Sequence, residues 1–333
     1  MRDIVDDLMR VWHSGRTGGL ATLVRTFGPS PLPVGSMMLL DPDGAVYGSV
    51  SDGCYESAVY EGAAHSARTG HRELRRFDGT SGLDVGSECG TIDVFLEPFS
   101  RNHFPEFAEV ASEIDAQNPV TVFTVVWHSD PSVIGQHLVT DRRHNTELVS
   151  LPESDVFVSS YTAPPRLIIF GANSFAAALT AQGRMLGYRV TVCDPREVFA
   201  APNSFPGAEV VADWPHRYLN AQAAAGRIDS RTALVAASQD PKFEIPLLTV
   251  ALRLPEFGYL GALGSHAVHT RRVEALQAGG FDTDTLSRLH APAGIDVGAR
   301  TPAEVAVSVA AEMLAARSGA PLTARTRTAV PVP

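Results

Sequence analysis

The sequence predicts an α/β protein, an N-terminal α+β domain followed by a C-terminal Rossmann-like domain with a doubly wound parallel sheet. The chain of 333 residues corresponds to about two domains at roughly 150 residues each. From Arg166 onward, short apolar runs alternate with helical stretches, which is typical of a parallel sheet covered by helices. Before residue 150 the β-like runs follow one another closely, with a hairpin signal at residues 41–44.

Turn-rich segments mark the boundary between the two regions. Residues 150–155 and 161–165 are rich in Pro, Ser, Asp and Glu, and the second segment ends in two prolines directly before a strand. We therefore expect a first domain at 1–150, a linker at 151–165 and a Rossmann domain at 166–318. The tail at 319–333 contains three prolines and is expected to be loosely ordered.

The elements of the first domain follow from its apolar spacing. Ile4, Leu8, Val11 and Trp12 share one face of a helix predicted over residues 3–14. The remaining predictions are helices over 54–69 and 105–115 and strands over 19–27, 36–40, 45–50, 73–77, 91–97, 120–127 and 133–138.

The second region alternates between the two kinds of element. The predicted strands cover 167–170, 189–193, 209–211, 232–236 and 258–261, and the predicted helices cover 175–186, 244–254, 267–277 and 302–316. A strand followed by a helix and a parallel strand is the repeating unit of a doubly wound sheet.

The charge balance excludes several classes of protein. With 27 basic and 37 acidic residues the net charge is −10, and no basic cluster offers a footprint for nucleic acid. Lys242 is the single lysine and lies outside any Gly-Lys-Ser/Thr motif, so the chain has no P-loop.

The cysteine count and the N-terminal residues indicate in which cellular compartment the protein is expected. Three separated cysteines without a Cys-x-x-Cys pair do not predict a disulfide framework. The first residues are acidic and lack the apolar core of a signal peptide, and no apolar run approaches the roughly 18 residues of a membrane span. We expect a cytoplasmic protein without a membrane span.

A glycine turn follows the first strand of the second region. Gly171, Asn173 and Ala176 occupy the positions of a dinucleotide fingerprint, although Asn173 stands where the second glycine is usual. Asp194 ends the next strand about 20 residues on, where a carboxylate meets a ribose hydroxyl. These four residues are the candidate nucleotide site.

Two cysteines of the first region lie on glycine turns. Ser51 and Asp52 are natural N-caps, so Cys54 is expected in the first turn of a helix, where the dipole lowers a thiol pKa. Cys89 precedes a strand in a second glycine turn, whereas Cys193 ends an apolar strand and is expected in the core.

Several longer motifs, in order along almost the whole chain, resemble one known family. Residues 21–35, 48–56 and 88–90 resemble the N-terminal domain of the XdhC/CoxI family. Residues 167–176, 192–196, 259–265 and the long run His-Ala-Pro-Ala-Gly-Ile-Asp-Val-Gly-Ala-Arg-Thr-Pro at 290–302 resemble its Rossmann domain.

The resemblance implies an accessory protein for maturation of a molybdenum hydroxylase of the xanthine or carbon monoxide dehydrogenase type. Such a protein is expected to bind molybdenum cofactor transiently, to assist its sulfuration with a cysteine desulfurase and to insert it into the apoenzyme without turnover of its own. The expected cofactor-binding residues of the first domain are Cys54, Cys89, Arg25, Gly35 and Gly53. A homodimer is expected, and no nucleic-acid partner.

Two other functions stay open at this stage. The Rossmann region is also compatible with an NAD(P)-dependent oxidoreductase, which would use the nucleotide site at the glycine turn. A regulatory binding protein without catalysis is the other alternative, since a fold does not by itself imply a function.

Overall fold

The computed structural model describes residues 4–28, 30–78 and 90–320, and divides the chain into two compact units, Met1–Ala163 and Pro164–Pro333. The expected linker at 151–165 is corrected by this division. Its residues 154–161 form a strand that pairs with strands of the first unit. The expected tail lies outside the described residues from position 321 onward.

A five-stranded antiparallel sheet forms the centre of the first unit. Its strands are β1 (Gly18–Phe27), β2 (Met37–Leu40), β3 (Val46–Gly48), β4 (Glu73–Phe77) and β5 (Thr91–Phe99). They are arranged in the order β3-β2-β1-β5-β4. The tight turn at 41–44 joins β2 to β3 as the hairpin signal predicts.

One face of this sheet is covered by helix α2 (Glu56–Thr69). Val59 and Ala63 of the helix pack against Ala21 and Val94 of the sheet in a buried cluster. Gly19 permits the close approach, because a Cβ there would lie 2.6 Å from the carbonyl carbon of Ala63. The start of α2 is therefore held firmly over the sheet.

A second, four-stranded antiparallel sheet and two helices complete the first unit. The helices are α1 (Val5–Ser14) and α3 (Phe107–Asp115), and the strands are β6 (Val120–His128), β7 (His137–Thr140), β8 (Glu147–Leu151) and β9 (Ser154–Tyr161). The sheet order is β7-β6-β9-β8. The strand predicted over 133–138 begins too early, because residues Pro131–Val133 form a short 3-10 turn and β7 begins only at His137.

The second unit contains the predicted five-stranded parallel sheet. Its strands are β10 (Arg166–Phe170), β11 (Arg189–Cys193), β12 (Glu209–Val211), β13 (Ala233–Ala236) and β14 (Tyr259–Ala262), in the order β12-β11-β10-β13-β14. The order reverses direction between β10 and β13, and such a reversal is where doubly wound sheets open a crevice at their carboxyl edge.

Helices cover both faces of the parallel sheet. They are α4 (Ser174–Met185), α5 (Pro215–Ala224), α6 (Pro241–Arg253), α7 (His266–Ala278), the short α8 (Thr283–Leu286) and α9 (Pro302–Ser318). Helices α4 and α9 pack on one face and α5 and α6 on the other, because alternate residues of the buried strands point to opposite sides. Helix α5 was not predicted from the sequence. No helix in the described ranges is long and apolar enough to cross a membrane.

Candidate functional site

The loop between β3 and α2 is held together by one carboxylate. Glu56 accepts hydrogen bonds from the Ser49 hydroxyl, the Ser51 amide at 3.0 Å and the Ser51 hydroxyl at 3.2 Å. Burial alone would raise the pKa of Glu56, but these hydrogen bonds lower it overall. The carboxylate is thus ionised at neutral pH and fixes the loop against the first turn of α2.

The start of α2 differs from the expected one. The helix begins at Glu56, so Cys54 lies before its first turn. Ser51 accepts a hydrogen bond from the Tyr55 amide at 2.9 Å and closes a turn ahead of the helix instead of capping it. Asp52, whose φ is 52°, bends the chain within that turn.

Two cavities flank the loop and share Gly48 and Ser49 in their walls. The first, which we name the proline-loop cavity, has a volume of about 500 Å³ and is lined by Ile4, residues 32–37, Gly48, Ser49 and residues 160–162. The second, named the helix-start cavity, has a volume of about 560 Å³ and is lined by Met38, Val46, Gly48, Ser49, Asp52, Gly53, Glu56, Ser57, Tyr60 and Glu61. Gly48 has a φ of 76°, a conformation that favours glycine.

The two cavities differ in charge. The helix-start cavity carries the three carboxylates Asp52, Glu56 and Glu61, which repel an anion. Among the residues that the structure describes, no acidic side chain lines the proline-loop cavity, whose polar lining residues are serine, threonine and tyrosine. An anionic ligand is therefore accommodated better by the proline-loop cavity.

Tyr161 lines the proline-loop cavity, and its hydroxyl is buried in the protein. Its side chain is 9% exposed, and its hydroxyl makes no hydrogen bond of normal geometry within the described chain. Burial raises the pKa of Tyr161 far above its ordinary value, and a weak interaction with Ser159 offsets this only in part. The hydroxyl is a neutral donor at physiological pH.

The structure brings together only some of the residues predicted for the first domain. Gly35 lines the proline-loop cavity and Gly53 lines the helix-start cavity. Arg25 lines neither, because its side chain lies 3.9 Å from Asp93 and 3.3 Å from the Ser150 hydroxyl. Cys89 lies outside the described residues.

Of the two cysteines in the described residues, Cys54 differs from expectation and Cys193 does not. Cys54 is disulfide-bonded, which corrects the predicted reactive thiol. Cys193 is a free, fully buried thiol, as its apolar strand predicts. Burial, together with the nearby Asp213 charge, raises the pKa of Cys193 to about 12.

These states predict a labelling pattern. We expect iodoacetamide to modify Cys54 only after a reductant is added and Cys193 only after unfolding, because the thiolate is the reactive form. Mass spectrometry of alkylated peptides, with and without reductant and denaturant, measures both. Rapid labelling of Cys193 in the folded protein would contradict the buried, protonated thiol.

The glycine turn of the second unit uses its own backbone donors. The Ala172 amide donates to Asp194 at 2.8 Å, and the Asn173 carboxamide accepts from the Ala176 amide at 3.0 Å. Asn173 also donates to the Ala237 carbonyl at 3.0 Å. A pyrophosphate at the start of α4 would therefore have to displace internal hydrogen bonds.

Asp194 is likewise occupied. It is 1% exposed and accepts from the Arg196 amide, Nε and Nη2, each at 2.9 Å, in addition to the Ala172 amide. Burial would raise the pKa of Asp194, but the hydrogen bonds from Arg196 and Ala172 lower it. The carboxylate predicted to bind a ribose instead holds an arginine.

Sequence reasoning missed Ser160 and Tyr161, which line the proline-loop cavity. Both fall in the segment interpreted as a linker, where turn-rich flanks hid a strand. The β-branched and aromatic run Val156, Phe157 and Val158 could have revealed it. The role of Arg196 had no comparable signal, because an arginine near an aspartate in sequence pairs with it only in some folds.

Comparisons with known proteins agree along both units. Residues 11–78 match the model of the XdhC and CoxI family, and residues 167–313 match that of the XdhC Rossmann domain. In the described part of the chain, no group of three His, Cys, Asp or Glu side chains could hold a metal ion.

Individual relatives cover nearly the whole chain. A molybdenum cofactor insertion chaperone of Escherichia coli, PaoD, is 29% identical over 95% of this chain and 87% of its own length. A Bacillus subtilis protein, named as a probable subunit of xanthine dehydrogenase, is 25% identical over 90% and 92%, respectively. The crystal structure of a protein described as a xanthine dehydrogenase from Bacillus halodurans superposes with a TM-score of 0.75, at 22% identity and 98% coverage of both chains. The last likeness shows a common fold.

Proposed function

This chain belongs to the XdhC and CoxI family, and we propose from that premise that it is a chaperone for molybdenum cofactor. In this proposal the cofactor is cargo, bound in the proline-loop cavity and passed to an apo molybdenum hydroxylase. The relative PaoD, whose name describes such an insertion chaperone, supports the proposal.

The observation that carries the proposal is the charge difference between the two cavities. The cofactor is a pterin with a phosphate and an oxidised metal on its dithiolene, so it is anionic. A volume of about 500 Å³ lies within the range of small-ligand sites. Among the described residues, no carboxylate lines this cavity to oppose a bound anion.

Sulfuration and delivery are part of the same proposal. A cysteine desulfurase would supply the sulfur to the bound cofactor, and the apoenzyme would then receive the sulfurated cofactor. Since Cys54 is disulfide-bonded, its thiol would take part only after reduction.

The experiment fills each cavity separately. We expect Ser160→Trp to lower anaerobic uptake of purified molybdenum cofactor by about tenfold or more, because the indole occupies the proline-loop cavity; tenfold corresponds to about 1.4 kcal/mol. Protein-bound molybdenum after gel filtration, measured by mass spectrometry, gives the result.

The matched control is Ser57→Trp. Ser57 is an exposed serine that lines the helix-start cavity alone, so its replacement should leave uptake unchanged. Loss of uptake in Ser57→Trp with retention in Ser160→Trp would move the cargo to the acidic cavity and refute the electrostatic argument. Retention in both variants would contradict the assignment of cargo to either cavity.

A further inference from the structure

Cationic and aromatic side chains form a continuous group on the second unit. We name Arg196, Phe199, Trp214, Lys242 and Phe243 the cation–aromatic platform. The Arg196 guanidinium lies 4.5 Å from the Phe199 ring centre and 6.0 Å from that of Phe243. Lys242 Nζ lies 5.4 Å from the Phe243 ring and 5.3 Å from the Trp214 ring. The rings of Trp214 and Phe243 are 5.4 Å apart.

The platform lies where doubly wound sheets bind ligands. Arg196 and Phe199 follow β11, Trp214 follows β12, and Lys242 begins α6 after β13. All three loops leave the carboxyl edge of the sheet, and together they span the crevice above β10 where the strand order reverses. The platform thus occupies the ligand-binding edge of the fold but lies beside the glycine turn.

Two features of the platform favour a ligand. Asp194 takes Nε and Nη2 of Arg196, which fixes the guanidinium while 47% of the side chain stays exposed. Phe199 is 51% exposed and Val198 is 87% exposed. Neighbouring exposed apolar side chains of this kind are typical of a binding surface. A preset cation beside an exposed ring suits a planar, negatively charged partner.

We propose that the cation–aromatic platform binds a phosphorylated planar heterocycle, with the ring stacked on Phe199 or Trp214 and the phosphate held by Arg196 and Lys242. A free nucleotide and the phosphorylated pterin of the cargo share this chemistry. The mode differs from the dinucleotide site predicted at Gly171, because the amides and the carboxylate there are occupied internally. The inference does not depend on the proline-loop cavity.

Charge determines the expected strength. Asp240 caps the Lys242 amide at 3.0 Å, and its charge acts on Arg196. A carboxylate this close opposes the phosphate, so we expect micromolar rather than nanomolar affinity. Stacking and charge-assisted contacts should each contribute, so neither adenosine nor inorganic phosphate alone should bind as tightly as ADP.

The experiment titrates the full-length protein with ADP in a calorimeter. Arg196→Ala and Lys242→Ala should each weaken ADP binding by about tenfold, since each removes one charge-assisted contact. Phe199→Ala should weaken ADP and adenosine but leave inorganic phosphate unchanged. The matched control is Arg253→Ala, which removes an arginine 5.7 Å from the Phe281 ring elsewhere in the same unit.

Three outcomes decide the proposal. Weakened ADP binding in the platform variants, with Arg253→Ala unchanged, supports it. Absence of saturable ADP binding at millimolar concentration overturns it, and so does binding that the platform variants leave unaltered. A competition experiment with purified molybdenum cofactor identifies which ligand the platform binds. If the cofactor displaces ADP from the wild-type protein, the platform is assigned to the pterin phosphate. If ADP stays bound, the platform is assigned to a free nucleotide.

Discussion

Replacement of Arg272 with methionine is expected to lower the free energy of unfolding of the second unit by about 3–5 kcal/mol. Arg272 on α7 is 2% exposed and donates to Glu244 on α6 at 2.6 Å and to the Leu263 carbonyl at 2.7 Å. Its removal leaves a buried, unpaired carboxylate. Removing one member of a buried pair is costly for this reason.

The loss should depend on pH. Burial already raises the pKa of Glu244 above its ordinary value, and Arg272 pulls it partly back. Without Arg272, protonation relieves the buried charge. A carboxyl whose folded pKa is raised favours folding at low pH and loses that contribution as pH rises through the folded pKa. The defect of Arg272→Met should therefore be smaller in mildly acidic buffer than in mildly alkaline buffer.

Hydrogen exchange of peptides from β13, β14 and α7 measures this effect in the full chain. The double variant Glu244→Leu with Arg272→Met should recover much of the lost free energy of unfolding, because it removes both buried charges. The ion pair itself lacks some hydrogen bonds, since Nε and Nη1 of Arg272 have no partner within the described residues. Equal protection in Arg272→Met and wild type would contradict the buried ion pair.

Gly19→Ala is expected to cost about 1–3 kcal/mol in the first unit and to abolish cargo uptake. A Cβ at Gly19 would lie 2.6 Å from the carbonyl carbon of Ala63, which is helix backbone and cannot turn aside. Helix α2 would have to move off the sheet. The loop from Ser49 to Glu56 is clamped to that helix by the Glu56 carboxylate, so both cavities would change shape.

The control for this prediction is Gly62→Ala on the same helix. A Cβ there would lie 2.6 Å from Leu96 Cδ1, a buried side-chain atom that can shift more readily than helix backbone. Alanine in a helix interior also gains about 1 kcal/mol over glycine. Denaturant unfolding and molybdenum uptake should therefore show a smaller loss in Gly62→Ala than in Gly19→Ala. Equal damage in the two variants would contradict the argument from backbone contact.

Much of the fold could be predicted from local pattern. The strands at 73–77 and 189–193 coincide with their predicted limits, because alternation and apolar runs are properties of neighbouring residues. Strand β9 and helix α5 could not be predicted. Flanking turns concealed β9, and α5 has only a weakly apolar face.

The candidate site was predictable only in part. The motif at 48–56 coincides with the loop between β3 and α2, and Gly35 and Gly53 line cavities beside that loop. The sequence does not show that Gly35 lines a cavity without carboxylates and Gly53 an acidic one. The wall opposite Gly35 is formed by Ser160 and Tyr161, which lie more than a hundred residues further along the chain.

The two-unit α/β fold and the position of the loops that carry chemistry could be predicted from periodicity and from turn residues near in sequence. The family was indicated by its resemblance to longer motifs such as those at 48–56 and 290–302. What each functional group contacts follows from the packing of segments that are distant in sequence. Asp194 holds Arg196, Arg25 pairs with Asp93, and Cys54 is disulfide-bonded. The physical reason is that charge pairing and hydrogen bonding depend on distances of about 3 Å. Packing between distant segments sets those distances.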